Sequence, residues 1–442
     1  MYTSYIGKKF LQYYKEEYNK PDSYTAEQFF DEIMFPLFFN DTRHLMHVSN
    51  SPFFQKPSEK NILEYGSKTL AQYNHFKNKI NEGIYGFEIL VGFGSNDVTT
   101  ETSGQLSNIK FNYTKEDVYC SWIGQALSVI VKGGIAILFD QKDILLQIQK
   151  GWEHYSKYLK QTPGLKDKQI ETWNGNFLAL TLNNKNTQFD YSKIKYGEVQ
   201  KNIAILTLNW TEIFFEITKY YKTNDLLIYV YLLSQTNNTY GYFILKLHEI
   251  NKLYEFRDKY FISEKDSVLS DYEISKLEPY YNFREACKMG VIGLRSFEPK
   301  GLRQYISKGS MAFSQGKSID IEKENNYYVY KLWIITMLNK KELLELSKQF
   351  AKLLVESVDI INKNKKTTTA YDNFVNELFE STSPKQFINK INDKINDLMN
   401  EDNKDILHNL VEEVILMPKD NFPLFITLIK FEFNYLNKGV KK

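Results

Sequence analysis

Three short apolar runs set among glycines constrain this chain more than any other feature. Residues 87–91 (FEILV), 126–131 (ALSVIV) and 135–139 (IAILF) lie in a stretch punctuated by Gly83, Gly86, Gly92, Gly94, Gly104, Gly124, Gly133 and Gly134. Runs of this length, rich in β-branched side chains and broken by glycine, read as buried strands rather than helices. The polar insert 95–105 between the first two reads as an exposed loop on that sheet. More strand-like runs follow at 203–208, 226–233 and 242–245, with a helical pattern at 210–220 between the first two.

The flanks obey a different period. Residues 1–82 read as a helical N-terminal segment. Thr25 sits as a helix N-cap before AEQFF, Pro36 ends or kinks that helix, and a second amphipathic helix covers 60–82. In 141–162, Ile144, Leu145, Ile148, Trp152, Tyr155 and Leu159 recur at helical spacing. Gly164 breaks that pattern, and Asn174-Gly175 reads as a tight turn. Residues 249–283 read as helical and polar. From Lys340 no glycine occurs until Gly439, and Leu343, Leu344, Leu346, Phe350, Leu353, Leu354 and Val358 form an apolar stripe. Further helices are expected at 371–380, 384–399, 403–417 and 425–436, which together make a bundle. The expected fold is therefore α+β: a helical N-terminal segment (1–82), a central mixed β-sheet body with helices (83–335), and a C-terminal all-helical bundle (340–437).

Composition excludes several classes. With 442 residues, 43% hydrophobic and 25% charged, the chain is long enough for two or three domains with real cores. The two cysteines, Cys120 and Cys287, form no disulfide framework and suit a reducing compartment. The N-terminal residues lack the charged and apolar regions of a secretion signal, and no apolar run approaches membrane-span length. A soluble cytoplasmic protein is expected. Aromatic content is 15%, with 32 Tyr and 31 Phe. The codon bias of an AT-rich genome accounts for this, and base-stacking faces are the sharper alternative.

Chemistry-bearing motifs are sparse. Gly92-Phe93-Gly94 and Gly133-Gly134 do not complete a dinucleotide fingerprint, and no Gly-Lys-Ser/Thr phosphate loop occurs. His44 and His47 stand three apart, a metal-binding spacing on a helix, but no acid completes a ligand set. Cys120 beside Trp122 has no histidine near it in sequence and reads as a buried small residue. No metal site is expected.

The electrostatic feature is the segment 284–317. Arg284, Lys288, Arg295, Lys300, Arg303, Lys308 and Lys317 stand against Glu285 and Glu298 only. Seven minus two gives +5, so a chain of net charge +2 sums to −3 elsewhere. Interleaved glycines and serines let the backbone approach phosphates that the cations neutralise. Carboxylates suited to a divalent ion are the second candidate: Asp97, Glu101 and Lys110, or Asp140 and Glu171 with a neighbouring lysine.

A long α+β body followed by a helical bundle resembles the large subunit of type I CRISPR surveillance complexes. The helical patterns VILM at 414–417 and FITLI at 425–429 add to the resemblance. Some members of that family carry paired Cys-x-x-Cys zinc sites, which this chain lacks. The resemblance implies contact with the motif beside the target and with the guide-bound strand, through 284–317 or the loop 95–105. Two functions follow as expectations. One is a non-enzymatic DNA- or RNA-binding subunit of a prokaryotic antiviral defence complex, without cofactor, using the bundle as a face for other subunits. The other is a Mg²⁺-dependent type II restriction endonuclease cutting duplex DNA.

Overall fold

The computed structural model describes residues 1–48, 51–87, 90–94, 113–182, 189–199, 202–233, 238–261, 269–275, 277–306, 324–364, 368–393 and 403–440. The fold is mixed α+β, with a central five-stranded mixed sheet and C-terminal helices. Contacts divide the chain into two compact units. The first is Met1–Leu247 with Cys287–Ile292, and the second is His248–Ala286 with Gly293–Lys442.

In the first unit, helix α1 (Tyr2–Glu17) is followed by the short α2 (Ala26–Phe29). The expected cap at Thr25 is present: its side chain accepts from the Gln28 amide, and the Gln28 side chain accepts from Thr25 N–H at 2.8 Å. Pro36 does not end the helix. The chain runs on as a π-helix over Phe30–Phe39, in which Asn40 N–H reaches back to the Phe35 carbonyl. The wider turn accommodates a residue that has no N–H to donate. Helices α3 (Glu59–Tyr65) and α4 (Lys68–Asn81) follow, then a small antiparallel pair, β1 (Tyr85–Phe87) with β2 (Gly92–Gly94).

Helix α5 (Lys115–Ala126) leads into a hairpin of β3 (Val129–Val131) and β4 (Ile135–Phe139). Gly133 and Gly134 close it with φ of +100° and +73°, which L side chains rarely adopt. Of the three apolar runs, only the third is a complete strand of the main sheet. The first contributes Phe87 to the separate small pair. The second begins in helix: Leu127 N–H still bonds the Ile123 carbonyl, and Ser128 Oγ donates to the Gln125 carbonyl, so the strand starts at Val129. Helices α6 (Lys142–Gln161) and α7 (Ile170–Thr181) come next. The expected α6 stripe is buried throughout, with Ile144, Ile148, Trp152 and Tyr155 fully enclosed.

A second small antiparallel pair, β5 (Tyr196–Val199) with β6 (Asn202–Ile205), precedes helix α8 (Trp210–Tyr220), which has the expected limits. Strands β7 (Leu226–Leu232) and β8 (Asn238–Leu245) complete the main sheet with β9 (Val291–Ile292), in the order β3-β4-β7-β8-β9. All neighbours run antiparallel except β8 and β9, where Ile244 pairs with Val291 and Leu245 with Ile292 in parallel. Part of the aromatic surplus goes to the core of this unit. Phe30, Phe39, Phe53, Phe76 and Trp122 form one cluster, with Phe39 and Phe53 stacked at 4.1 Å and Phe76 edge-on to Trp122 at 5.0 Å.

Asn174-Gly175 is not a turn; it lies inside α7. Both residues are there for packing. The Asn174 amide donates to the Ala126 and Ser128 carbonyls at 2.7 and 2.9 Å, and a Cβ at Gly175 would press on Ile213 and Val129 at 3.2 Å.

Among its described residues the second unit is mostly helical, and the segment 293–306 is the part that bears on the site. The unit holds α9 (Leu247–Tyr260, from His248 on), α10 (Asp271–Ser275), the start of α11 (Phe283–Lys288), α12 (Glu324–Leu338) and α13 (Glu342–Asn364). The chain then forms α14 (Thr368–Phe379), α15 (Pro384–Asp393), α16 (Lys404–Leu416) and α17 (Phe422–Val440). Helix α17 packs on α12 and α13. Phe387 sits edge-on to both Phe350 and Phe422 at 6.1 and 5.8 Å, closing the core of the bundle. Among the described residues, no helix is long and apolar enough to cross a membrane.

Candidate nucleic-acid interface

The basic segment is built on α12. After β9 the chain makes two 3-10 turns, Leu294–Phe297 and Leu302–Gln304. Trp333 Nε1 donates to the Leu294 carbonyl at 3.1 Å, and Tyr330 Oη donates to the Lys300 carbonyl at 3.0 Å. Gly301 turns at φ +89°, and a Cβ there would stand 2.8 Å from Tyr330 Oη. The segment also pairs with the strip before α11: Tyr280 N–H bonds the Glu298 carbonyl, and Lys300 N–H bonds the Glu278 carbonyl. Its backbone is therefore fixed on two sides.

This anchoring sorts the expected cations into two kinds. Arg303 is structural. Its Nε donates to Glu298 Oε1 at 2.6 Å and its Nη2 to Glu298 Oε2 at 3.1 Å, and Glu298 is fully buried. The guanidinium stacks on Tyr280 at 3.8 Å and donates to Tyr281 Oη. Burial pulls the Arg303 pKa down, but Glu298 outweighs it and the pKa is raised. Arg284, Arg295 and Lys300 are exposed in the second unit, and Lys288 is exposed in the part of α11 that belongs to the first. Lys300 pairs with Glu278 at 2.7 Å, with 62% and 72% of the two side chains exposed. Such a pair contributes little and exchanges readily for another anion. Lys308 and Lys317 lie outside the described residues, as do Asp97, Glu101, Lys110 and the loop 95–105.

The two described carboxylates of the second candidate set have other partners. Asp140 is almost enclosed, held by Lys9 Nζ at 2.8 and 2.9 Å and by Tyr5 Oη at 3.2 Å. Glu171, in the first turn of α7, accepts from Gln125 Nε2 at 2.9 Å, while Gln125 Oε1 accepts from the buried Tyr231 hydroxyl at 3.0 Å. Among the described residues, no group of three or more His, Cys, Asp or Glu side chains could hold a metal ion. His44 is buried against Phe39 and Phe54, and the segment it shares with His47 is not helical. Cys120 is sealed inside α5, where burial pushes its thiol up and away from nucleophilic use.

Glu171 gives a pH prediction. Part of the residue reaches the surface, but its carboxyl is enclosed. Burial pushes it from 4.5 up to about 7, against the opposing pull of its own backbone N–H and of Gln125. Between pH 4.5 and 7 the folded chain keeps a proton that the unfolded chain has released. Stability therefore falls as pH rises through that window, and the full cost stands above it. Glu171→Gln should flatten this slope, with its largest gain over wild type above pH 7 and none at pH 4. Melting curves of both proteins across this range check it; parallel curves would refute it.

The Tyr280-Tyr281 cage around Arg303 is not among the features that residue order alone reveals. The adjacent tyrosines were a signal, but only the folded chain brings them to that arginine. No protein-family model, curated protein or solved structure matches this chain.

Proposed function

We propose that this protein binds nucleic acid without cleaving it, contacting backbone phosphates through Arg284, Arg295 and Lys300. One observation carries the reading. In the segment 293–303, the only acid, Glu298, is buried and consumed by Arg303, so the segment itself presents only Arg295 and Lys300 as exposed charges, Lys300 with the exchangeable Glu278 beside it. A rigid backbone beneath Arg295 and Lys300 favours it, because less side-chain and loop order is lost on binding. The resemblance to CRISPR large subunits supports placing this surface in a multi-subunit defence complex, with the helical C-terminal region as the face for other subunits.

Polarisation of a labelled duplex and a labelled single strand over a salt series tests this. Log affinity should fall linearly with log salt, and Arg295→Glu with Lys300→Glu should lower the magnitude of the slope by about 2 and weaken all sequences alike. Supercoiled plasmid incubated with the protein and Mg²⁺ should stay intact. Salt-independent binding, or retention unchanged by the double variant, would end the proposal. Arg303 is not a fair probe, because its loss damages the fold.

A further inference from the structure

Helices α12, α13 and α17 line a cavity of about 420 Å³ that is open to solvent on one side, in the second unit and separate in its residues from the cationic surface. At its floor Lys331 and Glu432 form an ion pair with side chains only 9% and 6% exposed. Burial draws the Lys331 ammonium down despite that carboxylate. A buried pair is seldom more stable than apolar side chains of the same volume, so stability alone does not account for it. Beside it the Tyr327 hydroxyl is buried and has no hydrogen-bond partner. A buried hydroxyl left unpaired is unfavourable, and a bound polar atom would relieve it.

The walls and rim add two more features. Tyr327 stacks nearly parallel on Tyr435, at 6.0 Å and 11°, and Tyr435 remains 48% exposed. Lys348 and Lys352, one turn apart on α13, pair among the described residues with exposed glutamates of their own helix, Glu345 at 3.0 Å and Glu356 at 3.6 Å. Those pairs are weak and exchangeable. The cavity thus offers an aromatic plane, two cations at its mouth, and a floor with both donors and an acceptor. An alkyl ligand would strand the floor, and a bare anion would leave the aromatic plane unused. A flat ring with polar edges joined to an anionic group satisfies all three.

We infer that this cavity binds a single nucleotide, with its base on Tyr435, its phosphate at Lys348 and Lys352, and its polar edge toward Tyr327, Lys331 and Glu432. The nucleotide is either free or an unstacked residue of a strand. The volume lies within the usual range for small-ligand pockets, roughly 300–1,000 Å³.

Calorimetric titration of the intact protein with adenosine monophosphate, uridine monophosphate, adenosine, inorganic phosphate and a short oligothymidylate tests this. Both monophosphates should bind, with adenosine and phosphate weaker, because each holds only one of the two groups. Tyr435→Ala and Lys352→Glu lie at the surface and should each weaken binding about tenfold, as loss of a stacking platform does, with melting temperatures unchanged. Response of the monophosphates to these variants identifies the free source; response of the oligonucleotide alone identifies the strand. The inference is overturned if no probe responds to either variant. Arg295→Glu with Lys300→Glu should leave monophosphate affinity intact, so this inference and the phosphate-backbone reading fail independently.

Discussion

Replacing Arg303 by alanine is expected to destabilise the second unit by about 3–5 kcal/mol, the usual effect of stranding one partner of a buried ion pair. Glu298 is fully buried, and both its carboxylate oxygens accept from Arg303. In the folded chain Glu298 has no exposed surface of its own, so its charge depends on that guanidinium. The stacking on Tyr280 is lost as well. Replacing both residues by leucine should recover most of the loss, because the unpaired charge disappears with its partner. Lys300→Ala, which removes an exposed pair a few residues away, should change stability by less than about 1 kcal/mol. Urea titration followed by circular dichroism measures all three. An Arg303→Ala variant as stable as wild type would show that Glu298 does not depend on this pairing.

The second large effect is expected where α1 crosses α5. A Cβ at Gly7 would lie 1.9 Å from the Cys120 carbonyl oxygen, and a Cβ at Gly124 would lie 2.0 Å from that of Thr3. The two helices touch backbone to backbone, and Ser4 Oγ donates across the crossing to the Asp117 carbonyl at 2.9 Å. Alanine improves helix propensity over glycine by about 1 kcal/mol. Overpacking costs roughly 1–3 kcal/mol even where side chains can shift, and here the obstacle is main chain. Sterics should therefore win, and Gly7→Ala and Gly124→Ala should each destabilise the first unit by at least about 2 kcal/mol beyond the propensity gain. Gly151→Ala meets only the Phe177 ring and should cost less. A stabilised Gly7→Ala or Gly124→Ala would overturn the close crossing.

Much of this architecture could be read from residue order alone, because one force dominates each legible element. Residues 135–139 and 226–232 are continuous apolar runs of strand length, which marks them as strands of a sheet interior. Helix α6 and the C-terminal helices show the 3.6-residue period. Elements held by long-range contacts could not be read so. The two-residue β9 hides inside the basic segment and exists only because β8 offers an edge. Asn174-Gly175 imitates turn chemistry while serving helix packing. The site divides in the same way. The local excess of positive charge was visible, but the consumption of Arg303 by Glu298 depends on a turn that buries the acid. Lys331, between Tyr330 and Leu332, and Glu432, between Phe431 and Phe433, were each conspicuous charges in apolar runs. Their union depends on how α12 meets α17.

The excursion of the chain through His248–Ala286 before it returns to supply β9 has a consequence for biosynthesis. The sheet cannot be finished when its first four strands have left the ribosome. Ile244 and Leu245 must wait, with one row of backbone amides and carbonyls unsatisfied, until Ile292 emerges. A fragment stopped at Leu247 would keep that open rim permanently, and such rims recruit strands from other molecules.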